Sequence, residues 1–451
     1  MSGYAEYREV NLPWLKAVPA HWEIRRNKNI FTEQKEIVGE RSADYTLLSL
    51  TLNGIIPRDM DGGGKFPESF DKYKIVKNGD MAFCLFDIDE TPRTVGLSGY
   101  NGMLTGAYTI MRVSNINARF IYYYYLALDN GKMLRPLYTG LRKTININTF
   151  QSTKVPVPPR EEQDQIVRFL DWKVSSINKL INIKKKEIKE IDALKRSMVS
   201  HAITRGLTAD APMKYSGVKW LGDIPQRWYT VPLYAIAQVK SINNCIDLPL
   251  MSVYLDAGVV PFVEREEKRT NATSKDLTNY QRVDPGDFVL NNQQAWRGSV
   301  GVSFHSGIVS PAYIVLSLNN TLDSHYANYL FRSRCMVDQY LVISRGVGSI
   351  QRNLYWSALK RVVVPIPSKK EQMEIVEYLD GLNNKFDATI KKLTEEVAVL
   401  EEYKNKIIAD TVTGKIDVRG IEIPEYEFVD EDIDNADEVM EQGVNEPLEE
   451  E

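Results

Sequence analysis

The sequence predicts an α+β protein with two globular domains in tandem repeat, each followed by a long helix. Three observations carry that prediction. One long duplication runs through the chain with a period near 207 residues, a heptad pattern closes each copy, and turn-broken strand alternation fills the stretch before each heptad run. At 451 residues the chain is long enough for two domains with sizeable cores.

The duplication is visible from the first residues onward. Trp14, Pro19 and Trp22 recur with their spacing kept as Trp220, Pro225 and Trp228. Tyr73 through Gly79-Asp80 matches Tyr280 through Gly286-Asp287, and each Gly-Asp pair is followed by an apolar run that reads as a buried strand after a turn. Val95-Gly96, Gly102 and Ala107-Tyr108 then match Val300-Gly301, Gly307 and Ala312-Tyr313. Tyr313 to Leu318 alternates as a strand does, and Phe120 to Leu128 reads as a helical patch.

Each half closes in the same way. Val155-Pro156-Val157-Pro158-Pro159 precedes Glu161-Glu162-Gln163, and Val364-Pro365-Ile366-Pro367 precedes Lys370-Glu371-Gln372. The prolines end a strand, and the acidic residue favours the positive end of a helix. Heptad positions follow at Val167, Leu170, Val174, Ile177, Ile181, Lys184, Ile188, Ile191, Lys195 and Met198. In the second half they fall at Val376, Leu379, Asn383, Phe386, Ile390, Leu393, Val397, Leu400, Lys404 and Ile407. This narrow seam with charged flanks calls for a partner helix, and the other repeat's helix is the obvious one. A long surface helix lying on its own domain would show a wider apolar stripe.

Charge is unevenly distributed. The net charge is −4, but Glu425 to Glu451 holds 13 carboxylates and no Lys or Arg, which leaves +9 on residues 1–424. A basic body suits a polyanion, since cations that neutralise phosphates release condensed counterions, although it also suits a well-solvated surface. The acidic tail reads as disordered. No apolar run reaches membrane-spanning length and no N-terminal signal pattern is visible, so the expected address is the cytoplasm. The sparse, odd cysteine set, Cys84, Cys245 and Cys335, fits a reducing compartment and lacks zinc-site spacing.

Catalytic motifs are near misses. Gly414-Lys415 is followed by Ile416, so it does not complete a phosphate-binding loop. Ser310-Pro311-Ala312-Tyr313 approaches the adenine-methyltransferase motif but has no cofactor loop, and its twin Thr105-Gly106-Ala107-Tyr108 has no proline. Glu266-Glu267-Lys268 has the form of a nuclease metal motif but sits in a charge run. His21, His201, His305 and His325 form no metal spacing.

Two dissimilar globules, each followed by a heptad helix in matching register, resemble the specificity subunits of Type I restriction-modification systems. The most specific pieces are Met213 to Pro225, Gln294-Ala295-Trp296-Arg297-Gly298-Ser299-Val300-Gly301, Ser310 to Tyr313 and the two Val-Pro-x-Pro, Glu-Gln helix openings. The resemblance implies that each globule is a target-recognition domain and that the helices pair as an antiparallel coiled-coil spacer. It implies a chain with no catalytic site that reads a bipartite site on double-stranded DNA. Modification subunits, in two copies, and restriction subunits would supply methylation and cleavage. It also implies that this chain binds no cofactor or metal and that the partners use S-adenosylmethionine, ATP and Mg2+. A tandem protein-interaction scaffold without DNA readout is the alternative.

The expected boundaries are a first domain at 1–159, a first helix at 160–202, a linker at 203–219, a second domain at 220–367, a second helix at 368–412 and a C-terminal segment at 413–451 with a disordered tail. Gln and Asn make bidentate contacts to adenine and Arg to guanine, which singles out Gln293, Gln294 and Arg297 as base readers beside Trp296. Arg345, Gln351 and Arg352 around a Gly-rich turn, and Arg142 and Lys143 before Asn146, suit phosphate contacts. In the first half Asp89 to Gly96 stands where the Gln-Ala-Trp-Arg pattern would be, with Arg93 and Thr94 as the candidates.

Overall fold

The Gly-Asp pair shared by the two repeats starts the central strand of a four-stranded antiparallel sheet in each. In the first repeat the strands are β1 (Phe31–Gln34), β2 (Asp80–Phe83), β3 (Val95–Leu97) and β4 (Thr109–Val113), in the order β1-β4-β2-β3. The buried Asp80 carboxylate accepts the Lys77 N–H at 3.0 Å, closing the turn before β2, and meets Arg112 Nε at 3.2 Å. Helix α1 (Ala118–Asn130) follows, capped by Asn117, and then the short α2 (Ile147–Ser152), capped by Asn146. The strand Lys154–Val157 pairs with Glu23–Arg26 and leads into the long α3 (Arg160–Arg205). Phe31, Phe83, Tyr125 and Phe150 form the aromatic centre of this core, with ring centroids 4.8 to 5.9 Å apart.

The second repeat rebuilds the same plan. Its sheet has β5 (Ala237–Val239), β6 (Asp287–Asn291), β7 (Val300–Val302) and β8 (Tyr313–Leu318) in the order β5-β8-β6-β7. Asp287 again accepts from the residue three back, Asp284 N–H at 2.8 Å, and Lys240 supplies its cation at 2.5 Å. Helices α4 (Ser324–Arg332, capped by Asp323), α5 (Arg334–Ile343) and α6 (Trp356–Leu359) precede the strand Val363–Ile366, and α7 (Lys369–Val412) closes the copy. The described residues are 3–52, 54–58, 69–138, 143–262, 276–347 and 351–431. They form a mixed α/β protein of two units, Met1–Lys186 with Leu393–Glu451, and Glu187–Lys392.

The Glu-Gln pair at each helix start has a role beyond the helix dipole. Glu162 Oε1 accepts the buried Trp22 indole N–H at 2.9 Å and the Tyr4 hydroxyl at 2.5 Å, and His21 Nε2 lies 2.7 Å from its other oxygen. Glu371 accepts Trp228 Nε1–H at 3.0 Å and Arg227 at 2.6 Å. Burial raises the Glu371 pKa, but the indole and the guanidinium outweigh burial and hold it below the ordinary glutamate value. The neighbouring glutamines span the cap of the first domain helix. Gln163 accepts from Asn117 N–H at 2.8 Å and donates to Pro158 O at 2.8 Å, while Gln372 accepts from Asp323 N–H at 2.7 Å and donates to Pro367 O at 3.0 Å.

The heptad residues turn inward, as seen within each unit. In the first, Leu170, Ile177 and Ile181 of α3 share a core with Val397 and Ile407 of α7, and Val174 and Leu400 pack against it. Leu393 is buried as well. Lys184 Nζ meets Glu396 at 3.0 Å and Lys404 Nζ donates to Asn178 Oδ1 at 3.3 Å, so the two helices run in opposite directions there. In the second unit Leu379 is buried, Ile188, Ile191, Phe386 and Ile390 are half-buried, and Lys195 Nζ meets Asp387 at 2.6 Å.

Two features differ from the sequence reading. First, α3 runs to Arg205, and the stretch read as a linker contains Ile203, fully buried in the second core, and a strand Met213–Tyr215 paired with Asp223–Pro225. Second, the tail is ordered through Glu431. Gln165 donates to Val418 O and Ile421 O at 3.0 and 2.8 Å, Ser175 to Glu427 O at 2.9 Å, Asn178 to Val429 O at 3.2 Å and Asn182 to Asp430 O at 2.9 Å. Glu431 then bridges Lys185 and Lys404. Disorder was inferred from charge, but the docking uses main-chain carbonyls, which composition does not reveal; residues 432–451 lie outside the described residues. Gly414-Lys415, which the sequence already keeps out of any phosphate-binding loop, is a helix stop. Gly414 follows α7 with φ +75°, as Gly206 follows α3 with φ +75°.

Two expectations follow. A Cβ on Gly414 would lie 2.4 Å from Pro19 Cδ, so Gly414→Ala should destabilise the first unit by about 1–3 kcal/mol in urea unfolding. Burial raises the Glu431 pKa, but Lys185 and Lys404 together hold it below the ordinary value. Its contribution to docking is therefore complete above the usual glutamate range and is lost as pH falls through the lowered pKa. Glu431→Gln at neutral pH should speed hydrogen exchange at Val429 N–H, which donates to Ser175 Oγ, by about fivefold, corresponding to about 1 kcal/mol.

Candidate nucleic-acid interface

In the second unit the chain leaves β6 at Asn291 and must turn sharply. Asn291 Oδ1 accepts Gln293 N–H at 3.2 Å, and the residues Ala295–Arg297 form one 3-10 turn stopped by Gly298 in the left-handed region. Ala295 is fully buried and Ser299 Oγ donates to Val253 O at 2.8 Å, so the turn is anchored at both ends. Anchored this way, it carries Trp296 and Arg297 outward.

Trp296 is held side-on by its indole N–H, which donates to Gln293 O at 2.9 Å. The Arg297 guanidinium carbon lies 4.6 Å from the Trp296 ring centroid and that of Arg352 lies 6.0 Å from it. Contacts of this kind contribute about 0.5–1 kcal/mol at exposed positions and stiffen a guanidinium without neutralising it. Arg352 comes from the hairpin Arg345–Val347 with Gln351–Asn353, which is tied to the turn by Leu354 N–H donating to Asn292 O at 2.9 Å. Arg345 stands exposed on the other strand of that hairpin. Among the described residues neither Arg297 nor Arg345 has an ion-pair partner.

The structure therefore gathers Gln293, Trp296, Arg297 and Arg352 at one place with Arg345 beside them. Gln293 is exposed, whereas Gln294 is half-buried and its carbonyl accepts Arg297 N–H at 2.9 Å and Ser299 N–H at 3.2 Å. Gln351 pairs with Val347 across the hairpin. Sequence reasoning passed over Tyr355, which stands exposed three residues after Arg352, and the half-buried Trp356 beside it; aromatic residues close to cations were the available signal.

The first-unit candidates are engaged differently. Thr94 is 2 % exposed, and its N–H donates to the buried Asp129 at 2.9 Å. Arg93 donates to Asn130 Oδ1 at 2.7 Å and pairs with Asp129 at 3.3 Å. Burial thus encloses Thr94, and Asp129 with Asn130 engages the Arg93 guanidinium. Lys143 pairs with Glu90 at 3.3 Å and Asp89 at 3.6 Å, and Asn146 accepts Asn148 N–H at 2.8 Å as the α2 cap. The Tyr138 hydroxyl bond, then Arg135 and Lys143, holds Asp89 below the ordinary carboxylate range. Arg142 lies outside the described residues, as does Glu266-Glu267-Lys268.

Among the described residues no group of three or more His, Cys, Asp or Glu could hold a metal ion, and no helix is long and apolar enough to cross a membrane.

Residues 70–192 and 225–399 match the family model described as the Type I restriction modification DNA specificity domain. The chain is 24 % identical over 441 residues to the Type I restriction enzyme MjaVIII specificity subunit of Methanocaldococcus jannaschii, covering 92 % of this chain and 98 % of that one. It is 25 % identical over 428 residues to the putative MjaX specificity subunit of the same organism, covering 89 % and 95 %. Among solved structures, a chain of a type I R-M system described for its complex assembly and conformational transition is similar with a TM-score of 0.59 at 14 % identity, covering 88 % of this chain and 99 % of that one.

Proposed function

We propose that this chain, which belongs to the family of Type I restriction modification DNA specificity domains, reads a split DNA site with one half assigned to each globular unit. It is a sequence-specific DNA-binding subunit without catalytic chemistry of its own, and it works with modification and restriction subunits. The observation that carries the bipartite reading is repetition: two stretches match the same DNA-specificity model, and each runs into one of the two long helices. The antiparallel run of α3 and α7 in the first unit supports an antiparallel coiled coil acting as a spacer, because a stiff helical pair fixes the separation of two readers better than a flexible linker.

Two like repeats offer two like surfaces, so two modification subunits fit the complex. S-adenosylmethionine, ATP and Mg2+ are assigned to the partners, none to this chain, and the complex to the cytoplasm. In the second unit the Trp296 platform with Arg297 and Arg352 is the DNA-facing element, with Arg297 and Gln293 at base edges and Arg345 on phosphate.

Inserting one heptad into both helices should lengthen the non-specific gap of the modified site by about three base pairs, from about 10 Å of added rise, with both half-sites unchanged. Methylome sequencing of a host expressing the complete system reads this directly, and modified sites with the original spacing would refute the spacer. Arg297→Ala should relax preference at one base pair of one half-site by about 1–3 kcal/mol. Arg345→Ala should instead weaken all sequences alike and reduce the log–log salt slope by about 0.9.

A further inference from the structure

Strand β5 is an edge strand, since the sheet order β5-β8-β6-β7 gives it one neighbour. Its pairing with β8 matches Ala237 to Leu318, Gln238 to Ser317 and Val239 to Leu316. Just beyond the strand ends, Asn319 N–H donates to Ile236 O at 2.9 Å and Lys240 N–H donates to Val315 O at 2.9 Å. Antiparallel bonding alternates, so the peptide groups of residues 236, 238 and 240 face β8 and those of Ala237 and Val239 face the open side. Among the described residues nothing pairs with them there.

An open groove of about 640 Å³ runs along that side, lined by Tyr234, Ala237, Gln238, Val239, Trp356, Lys360 and Arg361. A cavity lying over a sheet face would touch alternate residues of a strand. This one touches three in succession, so it follows the strand's edge. The facing wall comes from α6 and the residues after it, and Tyr234 N–H donating to Lys360 O at 3.0 Å fixes the end of the groove. Val239 is 52 % and Tyr234 60 % exposed, a concentration of apolar surface that sheet edges normally avoid. Among the described residues neither Lys360 nor Arg361 has an ion-pair partner.

The first unit supplies a contrast. Its edge strand β1 pairs with β4 in the same register, with Glu33 opposite Met111 where Val239 stands opposite Leu316. Lys28, Ile147, Gln151 and Ser152 occupy the positions of Tyr234, Trp356, Lys360 and Arg361. That edge carries a carboxylate, which Lys35 meets at 3.4 Å, and the cation pair is missing. The groove is a property of the second unit.

We propose that this groove docks a partner polypeptide by strand addition: an extended acidic segment that pairs with the open edge of β5, seats an apolar side chain between Tyr234 and Trp356 and places carboxylates on Lys360 and Arg361. Main-chain pairing supplies affinity and the aromatic-cationic wall supplies selectivity. An edge backbone is the feature that favours a peptide over a nucleic-acid strand, which would use the rings and cations but not the ladder.

The test uses the full chain and fluorescence anisotropy with three labelled probes: a peptide of alternating valine and glutamate with a central phenylalanine, the same peptide N-methylated at alternate residues, and a ten-residue oligothymidylate. The expected result is saturable binding of the first peptide only, weakened at least tenfold by Val239→Pro, which removes an outward N–H on an exposed edge, and by Lys360→Glu with Arg361→Glu, which alters only surface charge. Absence of peptide binding, or binding indifferent to both Val239→Pro and N-methylation, would overturn strand addition. Oligothymidylate binding that is lost in the charge-reversed variant and kept in Val239→Pro would assign the groove to nucleic acid instead.

Discussion

A carboxylate held beneath a tryptophan at the start of each long helix is the constraint from which the rest of the architecture follows. Glu162 with Trp22 and Glu371 with Trp228 are buried acceptor and donor at equivalent places, and neither partner can be left without the other in a low-dielectric setting. Because the Trp lies ahead of the sheet strands and the Glu opens the helix, the bond fastens the start of the domain to the start of the rod. The adjacent Gln fastens the cap of the first domain helix to the same point. Each helix therefore leaves its own sheet in a fixed direction.

The two repeats share this frame but differ in what they display. In the second unit a 3-10 turn pinned by Ala295 and Ser299 pushes Trp296 and Arg297 outward, while the equivalent stretch of the first unit is drawn inward by Asp129. A buried carboxylate in α1 thus decides whether an arginine nearby is available to a ligand. Dissimilar loops on one scaffold let the two units present different surfaces.

The C-terminal segment shows how charge can mislead. Its acidic composition predicts a solvated chain, yet Gln165, Ser175, Asn178 and Asn182 line one side of α3 and hold successive carbonyls of residues 418–430. Those side chains hold the segment by its backbone, which its acidic composition does not disclose.

The sequence by itself determined the duplication, the strand that ends at each proline pair, the helix that each Glu-Gln opens and the inward heptad residues, because periodicity and local backbone restriction act over neighbouring residues. It also exposed the Gln-Ala-Trp-Arg turn, whose glycine and capping pattern is local. Only the tertiary structure decided that Thr94 is buried, that Arg93 answers to Asp129, that Gly414 stops a helix against Pro19 and that β5 keeps an open edge. Each of these depends on a partner far away in sequence. Pairing across such distances is settled by which buried polar groups find acceptors and which apolar faces find cover, and the chain order alone does not specify either.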